Sequence, residues 1–163
     1  IAISLAKNLP NAQVFAIDVS EKALSTAQKN AIDNEVKVTF INQNILEVVS
    51  VSTVEGLSQE FDIIVSNPPY VRNWEKEEIN KNVLDNEPHI ALFVDDNDAL
   101  LFYKKIADLA KKNLTQNGQL YFEINQYLGK EMIDLLTQKG FKNIVLRKDI
   151  YGNDRMIGCG NEE

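Results

Sequence analysis

Asn67-Pro68-Pro69-Tyr70 is the stretch of this chain whose residue types could do chemistry. It follows Phe61-Asp62-Ile63-Ile64-Val65, which reads as a buried strand ending at Ser66. Two successive prolines end a strand, because neither has an N–H to donate. The residue before a proline is pushed into extended geometry. The tetrapeptide is therefore a stiff loop at the carboxyl end of a strand, where open α/β sheets place their ligand crevices. It fixes an amide, free backbone carbonyls and an aromatic face in position, a set that suits gripping a planar NH2 group. The plainer reading is a structural turn.

The tetrapeptide resembles the Asn-Pro-Pro-Tyr motif of methyltransferases that modify amide or exocyclic amino nitrogens with S-adenosylmethionine. An amide nitrogen is a poor nucleophile because its lone pair is delocalised into the carbonyl. The Asn67 side-chain oxygen and the Pro68 carbonyl can accept both of its N–H bonds and draw electron density back onto nitrogen. Tyr70 can stack on the flat amide and favour the positive charge that develops during transfer. No general base is required, since positioning supplies much of the rate.

Two further places could hold a nucleotide-like cofactor. Asp18 ends a strand and precedes a helix, where nucleotide-binding α/β folds use an acidic side chain on the ribose hydroxyls. A helix cap or a solvated strand end is the alternative. Asn44-Ile45 follows the next strand; a side-chain oxygen there could accept from an adenine amino group while a backbone N–H meets a ring nitrogen. Asn42 competes for that role, and a turn asparagine explains either residue. His89, after Glu87-Pro88, is left unassigned. Asp149, Asp154 and Arg155 read as a structural ion-pair cluster around a turn.

These residues need a scaffold, and the chain supplies one by alternation. Residues 1–9 have helical spacing, ended by Pro10-Asn11. Residues 13–18 read as a strand, and Ser20 as the N-cap of a helix to about Asn30 with Ala23, Leu24, Ala27 and Ala31 on one face. Val36 to Ile41 alternates as a strand. Residues 48–60 read as a loop with a short helix. Residues 71–97, carrying Trp74, Pro88 and His89, read as a long, partly helical excursion, either a lid or a surface insertion. Asp98 to Leu114 is amphipathic, with Leu101, Phe102, Ile106, Leu109 and Ala110 apolar. Asn117-Gly118 reads as a turn, residues 119–124 as a strand, and Tyr127 to Lys139 as a helix capped by Gly140. Phe141 to Arg147 and Arg155 to Cys159 form an antiparallel hairpin across Tyr151-Gly152-Asn153. Strands alternating with helices predict one α/β domain over 1–163 with a largely parallel, Rossmann-like sheet.

The bulk properties exclude several classes. The chain has 163 residues, 44% hydrophobic and 25% charged, which is ordinary for a globular domain. No apolar run approaches the roughly 20 residues that span a bilayer. Seventeen basic residues against 24 acidic ones leave a net charge of −7, which weighs against a nucleic-acid substrate. Lys104, Lys105, Lys111 and Lys112 read as a solvated helix face. A single cysteine, Cys159, fits a reducing cytoplasm, and with one histidine it argues against a zinc site. The opening Ile1-Ala2-Ile3-Ser4-Leu5 lacks a methionine and reads as the inside of a helix, so a piece of a longer protein is expected.

Taken together, the chain resembles the protein-(glutamine-N5) methyltransferases of the HemK/PrmC type, which modify the Gly-Gly-Gln loop of peptide-chain release factors. The resemblance runs through Val14 to Asp18, Phe61 to Tyr70, Asn86-Glu87-Pro88, Gly118 to Glu123 and Asp149 to Arg155. It implies a class I methyltransferase fold using S-adenosylmethionine, released as S-adenosylhomocysteine, in a cytoplasmic monomer. It implies that Asp18 holds the ribose, Asn44 and Ile45 border the adenine, and Asn67, Pro68, Pro69 and Tyr70 hold the substrate glutamine, with Asn67 also near the cofactor. The family's first strand and glycine-rich loop would lie before Ile1, as would its helical domain. Position 44 is usually Asp in that family. A ribosomal-protein glutamine, an adenine N6 or a non-catalytic binding role remain alternatives.

Overall fold

The motif strand and the strand beside it show how the fold is assembled. In the computed structural model, which describes residues 1–48, 60–72, 93–94 and 98–161, β3 (Phe61–Ser66) pairs in parallel with β6 (Leu114–Glu123). β6 is covered on its other side by antiparallel β8 (Asp154–Gly160), and β8 by β7 (Lys142–Lys148), giving the order β3-β6-β8-β7. The preceding elements are α1 (Ala2–Asn8), β1 (Phe15–Asp18), α2 (Glu21–Asp33) and β2 (Thr39–Asn42), with β1 and β2 parallel. A short parallel pair joins β4 (Val71–Arg72) to β5 (Phe93–Val94). The helices α3 (Leu101–Asn113) and α4 (Gly129–Gln138) complete the set. Contacts divide the chain into two compact units, residues 1–59 and 60–163.

The second unit holds the larger core. Leu120 and Phe122 of β6, and Ile124 just past its end, are buried, while Tyr121 is exposed. This is the period-2 alternation of a half-covered strand. Tyr103, Ile106, Ala107 and Ala110 of α3, Met132 and Leu136 of α4, and Ile157 and Cys159 of β8 are buried as well. Each large side chain so buried stabilises by roughly 1.5–3 kcal/mol before entropy is charged against it. Tyr103 and Phe122 meet edge to face with ring centroids 5.2 Å apart. The first unit buries only Leu24, Ala31 and Val48 among its described residues.

Several boundaries differ from expectation for definite reasons. Ser20 caps α2 as expected, its hydroxyl accepting from the Ala23 N–H at 3.2 Å, but the helix runs on to Asp33. Its exit uses Glu35 at φ 56°, with Glu35 N–H bonded to Ile32 O and Val36 N–H to Ala31 O. Val36 therefore closes the helix, and the strand expected from Val36 starts at Thr39. On α2, Leu24 and Ala31 are buried, but Ala23 is exposed. On α3, Leu101 is exposed and the fully buried aromatic is Tyr103, a residue outside the expected apolar set. A tyrosine can be buried when its hydroxyl finds an acceptor, and here it donates to the Glu123 carbonyl at 3.1 Å.

The turn expected at Asn117-Gly118 is instead an irregular stretch inside β6. Register jumps from Phe61↔Leu114 to Ile63↔Gln119. A Cβ on Gly118 would sit 2.9 Å from both Leu114 Cβ and Thr115 O, so the chain folds back too tightly there for any side chain. Gly140 ends α4 as expected, at φ 79°, with its N–H on Thr137 O and the Phe141 N–H on Leu136 O. Lys111 is more than a solvated charge. Its ammonium donates to Gly140 O at 3.0 Å and lies 5.1 Å from the Phe141 ring centroid, tying α3 to the end of α4. Among the described residues no helix is long and apolar enough to cross a membrane. The helical part expected near residues 48–60, and the excursion with Trp74, Asn86-Glu87-Pro88 and His89, lie outside the described residues.

Candidate functional site

The Asn67–Tyr70 loop leaves β3 directly after Ser66, whose register partner on β6 is Phe122. It therefore lies at the carboxyl end of a parallel strand pair, as its sequence predicted. Pro68 is buried and anchors the loop, while Asn67 is exposed. Among the described residues the Asn67 side chain and the Pro68 carbonyl have no hydrogen-bond partner of their own. Two adjacent acceptors on a backbone stiffened by two prolines can take both N–H groups of one amide.

Tyr70 is held at two points. Its hydroxyl donates to Glu123 Oε1 at 2.8 Å, and its backbone carbonyl accepts from Asn125 Nδ2 at 3.0 Å. Asn125 in turn takes the Tyr127 N–H on Oδ1 at 3.0 Å, which sets the turn into α4. Burial, then the hydrogen bond and charge of Glu123, push the Tyr70 phenol up to about 12. The Arg155 guanidinium acts on the same phenol in the opposite sense. Burial above all pushes the Tyr103 phenol up as well, with Tyr70 and Glu123 adding to it. Arg155 Nη2 lies 3.5 Å from Asp149 Oδ2, and Asp149 Oδ1 accepts the N–H groups of Tyr151 (2.9 Å) and Asn153 (3.0 Å). Those backbone donors, with Asn153 foremost, hold the Asp149 carboxyl below the usual carboxylate range.

The ion pair expected around the last turn is present, as is a second between Lys148 and Asp154 at 2.9 Å. Glu123 and Asn125 were not singled out as site residues. The available signal was a carboxylate closing the apolar strand Leu120-Tyr121-Phe122, a place where charge needs a reason.

The carboxyl ends of β1 and β2 form a separate cluster. Asp18 and Asn42 are register partners, and Asn42 Nδ2 donates to the carbonyls of Asp18 (3.2 Å) and Val19 (3.0 Å). Asn42 thus braces the backbone. Asp18 Oδ1 accepts the Ser20 N–H at 2.8 Å, and Oδ2 takes no hydrogen bond among the described residues. The carboxylate is exposed. An exposed carboxylate with one oxygen fixed and one open fits a ribose diol. Asn44 is engaged locally, accepting the Leu46 N–H on Oδ1 at 3.1 Å and donating to Glu47 Oε1 at 3.0 Å. An amide oxygen has a second lone pair, so Asn44 can still accept one further N–H. Ile45, between them, is half-buried.

The model of the methyltransferase small domain matches residues 1–90. The chain belongs to that family. A protein from Flavobacterium psychrophilum named release factor glutamine methyltransferase is 72% identical over 157 residues, covering 96% of this chain and 53% of that protein. One of the same name from Bacteroides thetaiotaomicron is 49% identical, with 96% and 55% covered. The chain thus spans about half the length of the curated relatives it matches. A methyltransferase crystal structure from Pyrococcus furiosus superposes with a TM-score of 0.64 at 16% identity, covering 98% of this chain and 68% of that one. The α/β arrangement of parallel strands with a final antiparallel hairpin is thus the methyltransferase fold.

Proposed function

We propose that the intact protein transfers a methyl group from S-adenosylmethionine to the side-chain amide nitrogen of a glutamine, in the Gly-Gly-Gln loop of a peptide-chain release factor. The observation that carries the reading is the Asn67–Tyr70 loop, with two acceptors that have no partner among the described residues and a tyrosine held at its hydroxyl and its carbonyl. Relatives named for this reaction at 72% and 49% identity support the choice of substrate.

Asp18 is the residue that would hold the cofactor ribose, with Asn44 and Ile45 bordering the adenine. The cofactor supplies an electrophilic methyl group. Asn67 and the Pro68 carbonyl accept the two amide N–H bonds, which fixes the nitrogen and raises its nucleophilicity. Pro69 keeps the loop rigid between them and Tyr70, whose ring covers the amide and favours its developing positive charge. The proton lost from nitrogen after transfer passes to solvent, since the alkylated amide is strongly acidic. The substrate is a protein rather than a nucleic acid, consistent with the net charge of −7. Such a reaction belongs in the cytoplasm, with the enzyme acting as a monomer.

The test uses the full-length protein, a purified release factor and methyl-labelled S-adenosylmethionine. Label appears on the Gly-Gly-Gln glutamine, and Asn67→Ala lowers kcat by about a hundred-fold or more, the scale for losing one preorganised transition-state contact. Label on a ribosomal protein or on DNA instead would redirect the assignment. No cofactor binding at all would mark a non-catalytic module.

A further inference from the structure

The motif tyrosine is the centre of a polar cluster drawn from three other segments. Its hydroxyl is bonded to Glu123 at the end of β6, and its carbonyl to Asn125 two residues on. Arg155 stands at the start of β8, where its carbonyl takes the Ile124 N–H at 2.9 Å. Its guanidinium pairs with Asp149, which two backbone N–H groups of the hairpin turn hold in place. Tyr103 fastens the same corner from α3 by donating to the Glu123 carbonyl.

A half-buried phenol needs only one acceptor to satisfy its hydroxyl. Here the acceptor is a carboxylate, Glu123 Oε1 at 2.8 Å. Ring orientation is thereby set by a charge-assisted bond, stronger and more directional than a neutral one. A misplaced ring costs rate when catalysis rests on holding one nitrogen in line.

We propose that Glu123 is a positioning residue that sets the ring of Tyr70 against the planar amide of the substrate. The function of the ring rests on the glutamine-methylation reading above. The mechanical claim, that Glu123 holds Tyr70, stands without it.

The experiment separates the two. In the full-length protein, tyrosine labelled at 13Cζ reports each phenol by NMR, and Tyr70→Phe assigns the resonance of Tyr70. Glu123→Gln removes a negative charge and moves the Tyr70 titration down from about 12. This shift needs no substrate, and a resonance that titrates unchanged in Glu123→Gln overturns the inference. With the wild-type protein methylating the release factor, Glu123→Met lowers kcat about ten-fold while the KM for S-adenosylmethionine stays within about two-fold. Glu123→Gln, which keeps an acceptor, recovers most of that loss. Should Glu123→Met not fold, Tyr70→Phe carries the kinetic arm, and a turnover within about two-fold of wild type overturns the inference. A wild-type protein that methylates nothing refutes the proposed function and leaves the titrations to decide the positioning.

Discussion

The carboxyl ends of β1 and β3 both present polar groups where a strand stops, but they are built differently. At β1 the Asp18 carboxylate is fixed by the N–H of Ser20, two residues on, and the nearest brace from outside is Asn42 on the neighbouring strand. At β3 the motif tyrosine is fixed by Glu123 and Asn125, which lie 53 and 55 residues further along the chain. The first is a local turn with an exposed charge. The second is a half-buried polar cluster set on the larger core. Local construction leaves a side chain open for a ligand, whereas long-range construction makes a loop that cannot give way.

The sharpest way to break this contrast is to remove packing beneath the β3 end. Phe122 pairs with Ser66 in register and is buried against Tyr103. Phe122→Ala lowers the free energy of unfolding by about 3–5 kcal/mol. Leu24→Ala, in the thinner core of the first unit, costs about 2–3 kcal/mol, at the low end for such truncations. Urea unfolding of the full-length variants measures both, and equal losses would erase the distinction.

Asp18→Asn sharpens the other side. The substituted amide still accepts the Ser20 N–H, so Tm is unchanged. The open oxygen loses its charge, and S-adenosylmethionine binds about ten-fold more weakly, the scale of losing one charge-assisted hydrogen bond. Calorimetric titration reads the affinity. Unchanged binding would remove Asp18 from the cofactor's contacts.

The smallest effect concerns the outermost support of the β3 cluster. The Asp149 carboxyl is held below its ordinary range by the Asn153 and Tyr151 N–H groups and by Arg155. A depressed carboxylate stabilises the fold at pH values above the unfolded carboxyl's, about 3.9. That contribution disappears as pH falls through the lower folded value. Asp149→Asn therefore unfolds at a slightly lower temperature than wild type at pH 7, and the gap closes in acid. A gap independent of pH would mean that the side chain acts by shape alone.

The parts of the molecule legible in the sequence are those governed by near neighbours. Ser20 as N-cap, Gly140 as helix terminator, the two prolines ending β3 and the hairpin of β7 and β8 follow from residues a few positions apart. So does the placement of the Asn67–Tyr70 loop at a strand's carboxyl end. The departures came where backbone geometry or tertiary contact prevailed. Glu35 adopts the left-handed conformation that closes α2, and Val36 is drawn out of its strand. Gly118 lets β6 fold back within itself where a turn was expected.

By itself the sequence determined the α/β alternation, the family resemblance and the chemistry available to Asn67, Pro68 and Asp18, because residue type and short spacing carry that information. Only the tertiary structure decided that Tyr103 rather than Leu101 faces the core, and that Glu123 and Asn125 hold Tyr70. Those outcomes depend on which buried hydroxyl or amide finds a partner 20, 53 or 55 residues along the chain. No local pattern records it, because the penalty for an unsatisfied buried polar group is settled only once the strands have paired.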